Sequence, residues 1–147
     1  MYSCAIFGHS DYSYEKYINK IEQGLRNLIE MYQVTEFYVG MRGRFDTVCV
    51  QILKELQKKY TQIKLIRVWA YIPQENKKVM EENFDGTVYL LERKVPPTYA
   101  IIETNKNLVK KVDYIFSGIT HEWGGAWMAV EYAKKKGKRI MDALGEG

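Results

Sequence analysis

Cysteine and histidine are scarce in this sequence, and long apolar runs and internal repeats are missing altogether. The two cysteines sit in separate patterns, Cys4 inside the first apolar run and Cys49 inside a helical one. Both read as small buried hydrophobes. The two histidines, His9 and His121, stand far apart along the chain. No metal-ligand spacing exists, and neither a metal nor another cofactor is expected. The first apolar run, Cys4 to Phe7, is too short for a signal peptide, and no stretch is long enough to span a bilayer. A cytoplasmic protein with no membrane partner is expected. With no low-complexity segment either, the 147 residues read as one domain, 1–147, with enough sequence for a real core.

What is present fits that outline. At 46% hydrophobic and 27% charged residues the chain reads as globular and soluble. Its net charge is +4, much of it in Lys134-Lys135-Lys136, Lys138 and Arg139. Such a run is a solvated helix face before it is a nucleic-acid stripe, so nucleic acid is not expected as a partner. Twelve tyrosines suit either sheet packing or base stacking.

Strand and helix patterns alternate along the chain. Tyr2–Phe7 reads as a strand, and Ser13–Tyr32 as a helix capped by Ser13, with Ile18, Ile21, Leu25, Leu28, Ile29 and Tyr32 on one face. Glu36–Val39 is a second strand and Phe45–Tyr60 a second helix, with Val48, Ile52 and Leu56 inward. Ile63–Ile72 is a third strand, stopped by Pro73, with a short helix expected over Lys77–Glu82. Thr87–Leu91 reads as an edge strand or an extended segment, and Pro96-Pro97 forbids a helix and holds the chain extended. A helix from Ala100 or Glu103 to Lys111 leads into a strand at Tyr114–Phe116, a helix over Ala126–Lys136 and a last strand, Arg139–Leu144. The apolar runs are continuous, which predicts a single doubly wound α/β domain, Rossmann-like, with a mainly parallel sheet covered by helices on both faces.

Sheets of this class bind ligands at the carboxyl ends of their strands. Those ends carry Gly8-His9-Ser10, Gly40 to Arg44, Tyr71-Ile72-Pro73 and Thr120 to Gly125. A glycine turn opening a helix presents unpaired N–H groups and the positive end of the helix dipole, which suits a phosphate. Gly124, Gly125 and Ala126 form the strongest such turn, with Glu131 six residues on. Arg42 and Arg44, flanking Gly43, are placed to clamp a phosphate, or to be solvated. Asp46 suits ribose hydroxyls or the helix N-terminus; His9 suits a phosphate or base, or a capping role. Trp123 and Trp127 flank the turn and suit base stacking, Trp127 reading first as core.

Four segments in order, AIFGHSDY, EFYVGMRGRFD, VPPTYAIIETN and DYIF followed by GGAWMAVEYAKKKGK, resemble the SLOG superfamily. That Rossmann-like group contains the Lonely guy phosphoribohydrolases and the DNA-processing protein A fold, and the resemblance is greatest to its small single-domain bacterial and phage branch. The resemblance implies that Gly124, Gly125 and Glu131 match the PGGxGTxxE motif, in which the glycines hold phosphate and the glutamate works at the ribose–base bond. Trp127 and Met128 replace its Gly-Thr, no proline precedes the glycines, and Thr104, with Asn105 beside it, stands where the hydrolases have an arginine.

Three functions are therefore expected in order. The first is binding of a nucleotide or nucleotide-derived small molecule, as a sensor or sequestering protein. The second is an N-glycosidase of the phosphoribohydrolase type using Glu131 as its carboxylate. The third is single-stranded DNA binding. A homodimer or higher homo-oligomer is implied by the resemblance alone.

Overall fold

The residues of β1 (Tyr2–Gly8) explain why its apolar run is unbroken. Successive side chains of a strand point to opposite faces. Cys4 and Ile6 enter one core, and Ala5 and Phe7 enter another on the far side of the sheet. The computed structural model, which describes residues 1–40, 43–70 and 84–145, shows a six-stranded sheet in which every pairing is parallel. Around β1 run β2 (Val34–Val39), β3 (Lys64–Trp69), β4 (Gly86–Tyr89), β5 (Tyr114–Gly118) and β6 (Arg139–Asp142), in the spatial order β4-β3-β2-β1-β5-β6. Among the described residues, four helices cover both faces, as the continuous apolar runs predict. Two, α1 (Ile18–Glu30) and α2 (Arg44–Gln57), pack on the Cys4–Ile6 side; α3 (Pro97–Lys111) and α4 (Gly125–Lys135) pack on the Ala5–Phe7 side. Among the described residues no helix is long and apolar enough to cross a membrane.

Three details differ from the sequence reading. Helix α1 begins at Ile18, and Ser13 is not its cap; residues Glu15–Tyr17 form a 3₁₀ turn instead. Tyr14, 1% exposed, is drawn into the core and holds that segment off the helical path. On α2 the fully buried face is Phe45, Cys49 and Leu53, one position on from Val48 and Ile52, which are only partly buried. Proline does not exclude the start of α3: Pro97 occupies its first turn, where the missing N–H costs nothing, and Pro96 alone is extended. Thr87–Leu91 resolves into the parallel edge strand β4. The end of the third apolar run, from Tyr71, and the helix expected over Lys77–Glu82 lie outside the described residues.

Candidate ligand cleft at the switch point

Strand order decides where a cleft opens. The chain builds outward from β1 to β4 and then returns to place β5 on the other side of β1. The loop after β1 leads to α1 on one face, and the loop after β5 leads to α4 on the other. Between those diverging loops lies a cleft of about 460 Å³, within the range of small-molecule sites. Gly8, His9, Ser10 and Asp11 line it from β1, Gly40 and Asp46 from the β2–α2 side, and Gly124, Gly125 and Ala126 from α4.

The glycines divide into two kinds. A Cβ on Gly8 would lie 2.2 Å from Phe45, one on Gly118 2.4 Å from the same ring, and one on Gly43 2.3 Å from Ser10 Cα. These three exist so that chain segments can touch. Gly124 and Gly125 are different. Gly124 caps α4 with φ +95°, a left-handed geometry that favours glycine, and a Cβ there would meet nothing within 4 Å. A Cβ on Gly125 would come no nearer than 4.0 Å, to Asn105 Nδ2. The helix ladder starts with the Met128 N–H donating to the Gly124 carbonyl at 3.0 Å, so the N–H groups of Gly125, Ala126 and Trp127 precede it. Open space, early N–H groups and the helix dipole coincide at this turn.

Three aromatic rings rise beside it. His9, 4% exposed, stacks on His121 with centroids 3.5 Å apart and an interplanar angle of 18°; His121 in turn lies 3.8 Å from Trp123, which is 65% exposed. The His121 backbone N–H reaches His9 Nε2 at 3.4 Å, and Thr120 Oγ1 lies 3.0 Å from His121 Nδ1. Burial, and then the neighbouring His121, push the His9 pKa down, with Asp11 acting the opposite way. His9 is therefore held as a neutral imidazole.

Tyr14 fixes the floor. Its hydroxyl accepts from the His9 N–H at 2.9 Å and donates to the Gly118 carbonyl at 2.6 Å, tying the ends of β1 and β5 together. Burial raises its pKa to about 12, so the hydroxyl keeps its proton. Tyr14→Phe leaves two buried backbone groups without that partner. We expect a loss of about 1–3 kcal/mol in urea unfolding with the m-value unchanged; an unchanged midpoint would show that the bridge contributes nothing.

The residues expected from sequence do not all converge. Gly8, His9, Ser10, Gly40, Asp46, Gly124, Gly125 and Ala126 line the one cleft. Thr120 and Glu131 line a neighbouring one with Trp127, and Glu131 pairs with Lys134 at 3.5 Å. Gly43 packs against Ser10, Arg44 is exposed at the start of α2 outside the cleft lining, and Arg42 lies outside the described residues. Trp127 is half-buried, not core. Burial, with a hydrogen-bonded backbone opposing it for Cys4, raises both thiol pKa values, so neither cysteine is a nucleophile.

Sequence reasoning did not single out Asn105 for the cleft. Thr104 is fully buried, its Oγ1 without a hydrogen-bond partner among the described residues, whereas Asn105 faces the cleft beside Ile101 and Leu108. The spacing of 101, 105 and 108 marks one helix face, and that was the available signal.

No family model and no curated protein sequence matches the chain. Solved structures do. DNA processing protein A from Streptococcus pneumoniae superimposes with a TM-score of 0.69 at 18% identity, over 97% of this chain and 50% of that one. DNA processing protein A from Helicobacter pylori, described for its single-stranded DNA binding mode, gives 0.62 at 14%, over 96% and 64%. The Moco carrier protein from Chlamydomonas reinhardtii gives 0.57 at 13%, over 95% and 74%. This chain thus spans half the length of the pneumococcal protein and just under two thirds of the Helicobacter one. In fold, over nearly its whole length, it is similar to the Rossmann-like group that its four sequence segments resemble.

Proposed function

We propose that this chain binds a nucleotide or nucleotide-derived small molecule in the cleft between β1 and β5, as a sensor or sequestering protein. One observation carries the reading. The open Gly124-Gly125 turn at the start of α4 stands at the switch point of the sheet, beside the stacked rings of His9 and His121 and the neighbouring Trp123. A phosphate at the turn meets N–H groups and the helix dipole, and a flat base finds the exposed face of Trp123. Asp46 and Asn105, on opposite sides of the cleft, are polar partners for ribose hydroxyls or a base edge. A homodimer, implied by the sequence resemblance, completes the proposal.

Hydrolysis is the weaker reading. Glu131 lines the neighbouring cleft and is paired with Lys134, and the position of the hydrolase arginine is the buried Thr104. Single-stranded DNA binding draws on the fold likeness to the Helicobacter protein. Against it, the basic run of Lys134 to Arg139 begins at the far end of α4 from Gly125. Calorimetry and product analysis with a panel of nucleoside mono- and diphosphates separate these readings. We expect at least one member to bind intact, with affinity unchanged in Glu131→Gln. Release of free base that disappears in Glu131→Gln would replace the binding reading with an N-glycosidase, and tighter capture of oligo-dT than of any panel member would replace it with DNA binding.

A further inference from the structure

We propose that His9, Asp11 and His121 form a three-ligand site for a divalent cation of the Zn²⁺ class at the cleft. The residues come from the loops after two adjacent strands, β1 and β5, and a ligand atom from each lies within 4.8 Å of the others. Two imidazoles and one carboxylate are the donor set of borderline cations that keep a coordination position open.

The local chemistry supports metal binding in two ways, and the contact a cation at His9 Nε2 would displace is long, the His121 backbone N–H donating to that atom at 3.4 Å. The Thr120 hydroxyl lies against His121 Nδ1 at 3.0 Å, a contact that orients the ring and leaves Nε2 for a ligand role. Asp11 is exposed and supplies the one negative charge of the set. Tetrahedral coordination at about 2.0–2.2 Å places ligand atoms about 3.4 Å apart. Binding therefore draws the donors together and splays the two rings out of their 3.5 Å stack. His9 is buried, whereas Asp11 is exposed and His121 half-buried, so the movement falls on the two loop residues. All three line the cleft, which leaves the open position to water or to an oxygen of a bound molecule. The site stands on its own donors and does not depend on the nucleotide reading.

The test uses untagged, chelator-stripped protein and Co²⁺ alone, followed by its visible absorption. The account predicts one equivalent bound in a low-symmetry site and displaced by Zn²⁺. His121→Ala and Asp11→Asn each change a residue outside the core, so folding is retained, and each should weaken Co²⁺ binding by at least about a hundredfold. Even an outer-shell partner is worth ten- to hundredfold in affinity. Glu122→Gln, an exposed neighbour on the same loop, should leave it unchanged. Absence of saturable Co²⁺ binding overturns the site, as does a loss under about tenfold in either variant.

Discussion

Gly125→Asp is expected to abolish binding of any phosphate-bearing ligand while leaving the fold intact. The backbone of Gly125 is not in the left-handed region, and a Cβ there would meet no atom closer than 4.0 Å. An aspartate in the first turn of α4 is also favoured by the helix dipole. The substitution is thus tolerated by the protein and opposed only by an anion. Two like charges about 4 Å apart interact by about 4 kcal/mol at an effective dielectric of 20, roughly a thousandfold in affinity. Gly125→Ala, with no charge, should keep most of the binding. Equal affinity in wild type and Gly125→Asp would remove this turn from the site. Gly124 is unsuitable for the same experiment, because its φ of +95° would strain any side chain whatever the ligand did.

The second large effect is on stability. Gly8 and Gly118 are paired in register on β1 and β5, and the Phe45 side chain lies against both. Tyr14 stands 4.8 Å from that ring on one side and Phe116 6.0 Å on another, so it has no room to retreat. In Gly8→Ala the new methyl would sit 2.2–2.4 Å from three Phe45 side-chain atoms, Cγ, Cδ2 and Cβ. Overpacking of this kind costs about 3 kcal/mol, and for a chain of this size Tm should fall by roughly 6–12 °C. Phe45→Leu in the Gly8→Ala background opens space and should recover part of the loss. A Gly8→Ala protein melting within about 2 °C of wild type would show that α2 does not rest on this glycine pair.

Local pattern made the sheet and helices legible, because each strand buried on both faces announces itself as a continuous run such as Cys4 to Phe7. The glycine turns were legible for the same reason: Gly8 and Gly40 stand at strand ends that lead to helices, and Gly124-Gly125 opens a helix after a strand. What local pattern could not convey was which of those residues meet. His9 and His121 are 112 positions apart and touch only because β1 and β5 are neighbours. Gly8 looks like a ligand glycine in sequence, yet it and Gly118 both make room for Phe45. Tyr14 read as the first turn of a helix, but its buried hydroxyl bridges two strand ends and displaces the helix start to Ile18. Glu131 was placed by spacing in a motif, and spacing does not say which of two adjacent clefts a side chain faces.

The claim at the centre of this account is that the switch-point cleft holds a nucleotide-class molecule. Mass spectrometry of the small molecules released on denaturing freshly purified protein tests it most directly, with Gly125→Asp prepared in parallel. The account predicts an intact phosphate-bearing ligand from the wild type and none from the variant. A ligand carried equally by both preparations, or one lacking any phosphate, would contradict it.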